Sequence, residues 1–289
     1  VADDAMRAAD PTTNPTVPLF VGAQRGHIMW HRGRFEELAR WLTDVVGGFS
    51  MLAATLDCSL VITYAEAGQR ELARAELGRF AADDFVGVPR NPMWLMNMTS
   101  LADGCIAVGD VEAAGRLYPL LAPFARYNIV VVPVWVGAPV AHYMGGLAAL
   151  LGDAVAARRH YEDALVLEAR TGTRQWGART QLAYARLLRA SGRPRDAERA
   201  DELVASSRAI ALELGLTPVL AQLGATQPAT SAAAPQRCRF HRHGDTWELE
   251  FAGKRATVPH RVGMEYLRQL FTRPGEPIAV LELASARGR

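Results

Sequence analysis

Residues 150–165 read LLGDAVAARRHYEDAL, and they contain the turn between two helices together with one face of the second helix. Gly152 can adopt the positive φ that ends a helix, and Asp153 can cap the start of the next one. Ala157 and Ala164 then follow at helical spacing on one face. Small side chains on that face let neighbouring helices pack closely, so the stretch predicts a hairpin of two helices.

Glycines recur along the chain where one amphipathic segment ends and the next begins. They are separated by 35, 41, 43 and 40 residues, an ordered spacing typical of a tetratricopeptide-like α-solenoid. Alanine stands five positions after four of them, where two helices need a small side chain, and Leu38 takes that position in the first repeat. We therefore expect about five helical hairpins, with an apolar inner face that lapses at Asp201. The glycines are Gly33, Gly68, Gly109, Gly152 and Gly192, and the alanines are Ala73, Ala114, Ala157 and Ala197.

Two links between the hairpins differ in sequence from the glycine turns. Residues 87–92, GVPRNP, cannot continue a helix, and the second proline predicts a new helix starting at Met93 or Trp94. Residues 128–137, NIVVVPVWVG, are rich in β-branched side chains and predict an extended segment. This segment either packs along the edge of the solenoid or covers its concave groove.

The composition changes after Leu223. Residues 224–236 are rich in Ala, Thr, Ser, Gln and Pro, which is typical of a flexible linker. A period-two pattern over residues 238–258 then predicts three antiparallel strands, and an amphipathic helix is expected over Val262–Thr272. Trp247, Phe251 and Leu267 are expected to share the core of this module.

The predicted fold is mainly α, with a small β-rich, winged-helix-like module after the solenoid. The segments are a flexible N-terminus over 1–18, the solenoid over 19–223, the linker over 224–236 and a small β/α module, which we expect to be truncated, over 237–289.

Composition indicates a soluble protein of the cytoplasm. Apolar residues make up 49% of the chain, and its formal net charge is only +2. Cys58, Cys105 and Cys238 are odd in number and far apart, which favours a reducing compartment over a disulfide framework. No apolar run reaches the roughly 18 residues that span a bilayer, so no membrane contact is expected.

Several motifs resemble a known family when they are taken together. They are PMWL at 92–95, AVGD at 107–110, LYPLLAP at 117–123, LLGD at 150–153 and GTRQW at 172–176. They resemble the C-terminal tetratricopeptide-like region of large bacterial STAND or AAA-type signalling ATPases, the LuxR-like and adenylate-cyclase-linked multidomain regulators. DTW at 245–247 and GMEYLRQL at 263–270 look like the small module that follows the repeats in many of them. The resemblance implies a sensor and protein-interaction region of signal transduction or transcriptional regulation, and we expect the chain to be a piece of a longer protein.

Motifs for catalysis are missing from the sequence. The only lysine, Lys254, is not in a P-loop, and there is no Gly-x-Ser-x-Gly, His-Glu-x-x-His, EF-hand or dinucleotide pattern. His241, His243 and His260 suggest a metal site, but no cysteine or carboxylate completes the ligand set. We expect no catalytic residue, no metal and no cofactor.

Helical register predicts which side chains face the groove. Positions about thirteen, ten, six and three before each turn glycine should lie on the concave face of each first helix. On the last of these helices, three arginines form a cationic end suited to a carboxylate or phosphate, unless they are simply a solvated face. The predicted ligand-binding residues are His27, Trp30, Thr55, Thr99, Asp103, His142, Arg179, Arg186 and Arg189.

Three functions remain open at this point. The first is a non-catalytic sensor or scaffold that binds a peptide, a partner protein or a small effector with an anionic group in the groove. The second is DNA binding by residues 237–289, which hold ten Arg or Lys against six Asp or Glu but lack a complete recognition helix. The third is an enzyme that uses the groove histidines His27, His31 or His142. We prefer the first.

Overall fold

The computed structural model describes residues 17–46, 53–131, 134–225, 239–251 and 254–272. Within these ranges the protein is mainly helical, with twelve α-helices and two small antiparallel sheets. The chain divides into two compact units, Val1–Gln227 and Pro228–Arg289, called here the helical unit and the β-rich unit. Most of the predicted flexible N-terminus and of the predicted linker lies outside the described residues.

The helices of the helical unit follow one another in pairs joined by short turns. The first helix begins at Val17, inside the segment expected to be flexible. Two short strands, β1 (Asn128–Val131) and β2 (Trp135–Pro139), lie between the sixth and seventh helices. The helices are α1 (Val17–His31), α2 (Phe35–Val46), α3 (Ala53–Glu66), α4 (Arg70–Ala81), α5 (Trp94–Val108), α6 (Val111–Leu121), α7 (Val140–Leu150), α8 (Ala154–Thr171), α9 (Arg174–Ala190), α10 (Pro194–Leu214) and α11 (Thr217–Ala225).

The turn glycines lie where the sequence predicts them. Each separates the two helices of a pair and has a positive φ, between 69° and 82° for all five. A glycine is needed here because this left-handed conformation costs other residues steric strain. Asp110 and Asp153 begin the following helices by accepting hydrogen bonds from the backbone nitrogens of Ala113 and Ala156, both at 2.9 Å.

Small side chains bring the helices of a pair together, as predicted. Ala73, Ala114 and Ala157 have no exposed surface. The α7–α8 pair is especially close, because a Cβ built at Gly145 would lie 2.7 Å from the ring of Tyr161. Any side chain larger than glycine there would force the two helices apart.

Helix α10 differs from its prediction. Ala197, expected to be buried, is exposed, and Asp196 and Ala200 are buried instead. Asp196 faces inward because it has partners there: Arg158 donates to its Oδ2 at 2.8 Å, and Ser191 Oγ donates to the same oxygen at 2.7 Å. The buried face of the helix is therefore shifted relative to the other repeats.

Both irregular links behave as their sequences predict. Helix α5 begins at Trp94, directly after the Asn91-Pro92-Met93 turn. The β-branched segment forms an antiparallel hairpin, in which Val130 pairs with Val136. We call this element the β1–β2 hairpin.

The first hairpin also contacts the last helices of the unit, which the repeat pattern does not predict. A Cβ built at Gly33 would lie 3.3 Å from Cγ of Pro218 at the start of α11. The guanidinium of Arg32 lies against Gly215, the residue that ends α10. In a simple stack each repeat contacts only its neighbours; here the two ends of the array meet.

The β-rich unit contains β3 (Arg239–His243), β4 (Thr246–Phe251), β5 (Lys254–Pro259) and α12 (Val262–Thr272). The three strands pair in the order β3-β4-β5, as predicted. Trp247 is fully buried, and its Nε1 donates to Nδ1 of His260 at 3.0 Å. Leu267 is 42% exposed, so its predicted place in the core is wrong; Phe240, at 4.8 Å between ring centroids, packs on Trp247 instead. The side chain of Phe251 lies outside the described residues.

Candidate functional site

A cavity of about 280 Å³ lies inside the helical unit, with walls from α1, α2, α3, α5, α7, α9 and the β1–β2 hairpin. Most of its lining is apolar, and aromatic rings form a large part of it. Such a surface favours a small molecule with an apolar body. The lining rings are those of Phe20, Trp30, Trp41, Trp135, Tyr143 and Trp176.

The β1–β2 hairpin forms one wall of this cavity. Ile129, Val131, Val134 and Trp135 all line it. The ring of His27 on α1 stacks on Trp135, with 4.5 Å between centroids and 12° between planes. The segment therefore covers this cavity.

Three hydroxyl groups on the helical side of the cavity already donate their hydrogens to the backbone. Ser59 Oγ donates to the carbonyl of Thr55 at 2.9 Å, and Thr63 Oγ1 donates to that of Ser59 at 2.7 Å. Thr99 Oγ1 donates to the carbonyl of Leu95 at 2.9 Å. A hydroxyl oxygen that donates its hydrogen can still accept. These groups are therefore available to a ligand as acceptors.

Asp103 on α5 is the only carboxylate among the described lining residues, which include no arginine or lysine. Among those residues, no side chain donates a hydrogen bond to it or forms an ion pair with it. The pKa of Asp103 is raised to about 7, mainly by burial and also by the neighbouring Glu66, while Arg179 opposes the rise. The carboxyl group is thus poised to gain or lose a proton near neutral pH.

Arg179 lies behind this wall in a tight cluster with Glu66 and Trp30, which we call the Arg179 cluster. Its Nη1 donates to Glu66 Oε1 at 3.3 Å, and the two side chains are only 10% and 15% exposed. The guanidinium carbon lies 3.7 Å from the centroid of the Trp30 ring, a close cation–π contact. The cluster joins α9 to α3 and α1. Glu66 supplies a countercharge for Arg179, whose Nε and Nη2 have no hydrogen-bond partner among the described residues.

Three histidines surround Trp176 and remain neutral at physiological pH. Burial lowers the pKa of His27 to about 4, that of His31 to about 2 and that of His142 to about 3, and Arg179 adds to each shift. Imidazoles held neutral in this way are weak bases. The described residues contain no group of three His, Cys, Asp or Glu side chains that could hold a metal ion.

A buried chain of hydrogen bonds runs from His142 to Glu168. His142 Nδ1 and Thr180 Oγ1 are 2.8 Å apart, and Thr180 Oγ1 donates to Glu168 Oε1 at 2.7 Å. Burial raises the pKa of Glu168 to about 8, against a smaller opposing effect of Thr180. The sequence reasoning missed Glu168, although it continues the buried stripe of Ala157 and Ala164 at helical spacing.

The predicted site residues separate into three groups. Those that line the cavity are His27, Trp30, Thr55, Thr99 and Asp103. His142 and Arg179 lie behind its wall, where His142 is within 6.2 Å of the Trp176 ring. Arg186 and Arg189 do not line it.

The predicted cluster of three arginines is not formed. Arg186 is exposed at its surface, although burial of part of the side chain lowers its pKa and Glu66 lies near it. Arg189 donates to Asp201 of α10 at 2.8 Å. Arg189 lies ten residues after Arg179, which places it about 15 Å further along the helix and roughly 80° around its axis. The shared face assumed from spacing is lost over that distance.

The register of groove positions did not predict some of the lining residues. Trp41 belongs to a second helix, and Trp135 belongs to the hairpin. Trp176 lies three residues before Arg179, on the same helical face, so one more step of the register finds it.

Comparison with known proteins leaves this site to be interpreted from its own residues. No family model, no curated protein and no solved structure matches the chain. In the part of the chain that the structure describes, no helix is both long and apolar enough to cross a bilayer.

Proposed function

We propose that the helical unit is a tetratricopeptide-like solenoid that acts as a non-catalytic sensor and binds a small, largely apolar molecule in the cavity. The observation that carries this proposal is an internal space of about 280 Å³ lined by aromatic rings and one carboxylate. Its volume is near the lower end of pockets that hold small molecules, roughly 300–1,000 Å³.

The β1–β2 hairpin favours a small effector over a peptide. An extended peptide would need an open groove along the helices, and four hairpin residues form a wall there. A small molecule needs no more than the space beneath the hairpin. Binding would also hold the hairpin against α1, through the stack of His27 on Trp135.

The chemistry of the buried side chains supports a non-catalytic role. His27 and His142 have pKa values lowered to about 4 and about 3, so they are poor general bases at neutral pH. Burial raises the pKa of Cys58 and Cys105 to about 12, so neither thiol supplies a nucleophilic thiolate.

The wider role that we propose is the cytoplasmic sensor region of a bacterial signalling or transcriptional regulator, as the sequence resemblance implies. In this proposal the β-rich unit is a winged-helix-like module. Its three strands and α12 are compatible with such a module.

Thermal-shift screening of the whole chain against small aromatic and aliphatic compounds tests the binding proposal. Ser59→Phe fills the cavity from α3, and Asp201→Asn is a matched substitution at an exposed site outside it. We expect compounds that raise the melting temperature of the natural protein and of Asp201→Asn but not of folded Ser59→Phe. Equal shifts in all three proteins, or none with any compound, would contradict the proposal.

A further inference from the structure

We infer that the ligand carries a protonated amine, and that Asp103 is its counter-ion. This inference rests on the proposed function and names the class of molecule that the cavity selects. It follows from three features of the described wall: an unpaired carboxylate, three hydroxyls whose hydrogens are already donated, and aromatic faces.

The first feature is the balance of charge. Asp103 is the only charged side chain among the described lining residues, and the nearby Arg179 is already paired with Glu66 at 3.3 Å. A buried charge is costly unless it is paired. A ligand ammonium would pair with this carboxylate, whereas an anionic ligand would place a second negative charge beside it. The cavity therefore disfavours the anionic group that the three arginines suggested.

The second feature is the direction of the available hydrogen bonds. The hydroxyls of Ser59, Thr63 and Thr99 donate to carbonyls of their own helices, so they offer a ligand only their lone pairs. An ammonium has up to three donors and no acceptor. It matches these three acceptors, and a carboxylate or phosphate does not.

The third feature is the set of aromatic faces. Cations bind favourably over tryptophan and tyrosine rings, particularly away from water. The protein already uses this contact next to the cavity, where the guanidinium of Arg179 lies 3.7 Å from the Trp30 centroid. Trp41, Trp135 and Trp176 present further rings to the cavity and also suit the apolar body of the ligand.

Binding of an amine should release a proton from Asp103. Near this carboxyl group, Glu66 approaches from α3, Arg179 from α9, Tyr143 from α7 and Tyr161 from α8. His27 on α1 lines the same cavity. Burial raises the pKa of Tyr143 well above its usual value and lowers that of His27 to about 4, so both stay neutral around pH 7. Glu168 also titrates near 8, but it lies beyond Thr180 and is not a lining residue.

The pH dependence of affinity follows from the protonation of Asp103. With its pKa raised to about 7, most Asp103 carries a proton at pH 6 and little does at pH 8. An amine that requires the carboxylate should therefore bind about tenfold more tightly at pH 8 than at pH 6. A neutral molecule of the same shape should show no such dependence.

Calorimetric titration of the whole chain with 2-phenylethylamine, 2-phenylethanol and 3-phenylpropanoate tests the inference. We expect the amine to bind most tightly, with the tenfold rise between pH 6 and pH 8. Asp103→Asn should weaken amine binding at least tenfold and remove its pH dependence, while binding of the alcohol is unchanged. Asp103→Glu should restore part of the amine affinity, and Asp201→Asn should leave all affinities as they are.

Two results would overturn the inference in distinguishable ways. If the alcohol or the carboxylate binds more tightly than the amine, and Ser59→Phe abolishes that binding, the cavity is a ligand site but not an amine site. If none of the three probes binds, or if Ser59→Phe binds them unchanged, the proposed cavity function fails as well.

Discussion

Helix α9 carries two arginines in opposite environments. Arg179, near its start, is almost enclosed, with Glu66 and the Trp30 ring as partners. Arg189, near its end, pairs with Asp201, and both side chains are solvated, at 36% and 72% exposure. Each arginine has one carboxylate partner, so counting ion pairs would treat the two as equal.

The difference lies in what each pair would lose if one partner were removed. When its partner is removed, an exposed charge is solvated by water at little cost, whereas an enclosed charge cannot be solvated. The enclosed pair therefore holds three helices together around the cavity, and the exposed pair adds little to stability.

The largest effect is expected for Arg179→Ala, which leaves Glu66 enclosed without its partner and removes the contact with Trp30. Breaking a buried pair in this way costs roughly 3–5 kcal/mol. Urea denaturation followed by circular dichroism measures the change in the free energy of unfolding. A loss below about 1 kcal/mol would mean that the two arginines of α9 are equivalent after all.

Glu168 adds a third case to the comparison, because it is a buried carboxyl group without a countercharge among the described residues. Its pKa is raised from 4.5 to about 8, so between these values the native protein keeps a proton that the unfolded chain releases. The contribution of Glu168 to the free energy of unfolding is complete below pH 4.5. It falls as pH rises towards 8, by up to about 1.4 kcal/mol per pH unit.

The test of this pH effect is Glu168→Gln, which retains an oxygen for Thr180 but cannot ionise. We expect similar stabilities at pH 5 and a more stable variant at pH 8. Acidification lowers stability through the histidines with lowered pKa values. These histidines are present in both proteins, so their effect cancels in the difference between the two free energies of unfolding. Glu202→Gln, at an exposed pair with Arg199, is the control; a parallel pH profile for Glu168→Gln would contradict the assignment.

Two alanines at the same repeat position compare an enclosed site with an open one. Ala157 is fully buried and Ala197 is exposed, although each lies five residues after its turn glycine. Ala157→Leu should cost about 1–3 kcal/mol by overpacking, and Ala197→Leu should be close to neutral. Thermal denaturation of the two variants checks this, and equal losses would mean that α10 presents the same face as α8.

The smallest effect is expected for Arg189→Ala. Exposed pairs contribute about 0–1 kcal/mol, and salt screens them. Denaturation in low and high salt should show a small difference from the natural protein that disappears as salt is added. A large loss that persists in high salt would place Arg189 in the same class as Arg179.

The parts of the fold that the sequence predicts depend on short-range chemistry. Glycine at a left-handed turn, aspartate at a helix start and proline before Trp94 act within a few residues, so their positions can be read directly. The rotation of α10 could not be predicted, because it depends on Asp196 meeting Arg158 from another hairpin.

The cavity was predictable only where it belongs to the repeats. His27, Trp30, Thr55, Thr99 and Asp103 share one register on successive first helices, and the structure brings all five to the cavity. The hairpin wall and the ring of Trp41 come from elements that do not share this register. The positions of these elements depend on tertiary packing, which residue spacing in a single sequence does not predict.

The contact between Gly33 and Pro218 bears on the order in which the chain folds. Neighbouring hairpins can assemble as soon as both exist, but this contact joins segments separated by most of the helical unit. Closing so long a loop is entropically costly and slows folding. During synthesis, α1 cannot make its contact with α11 until α11 has been synthesised. We therefore expect the α1 side of the cavity to reach its final position only after the last helix has left the ribosome.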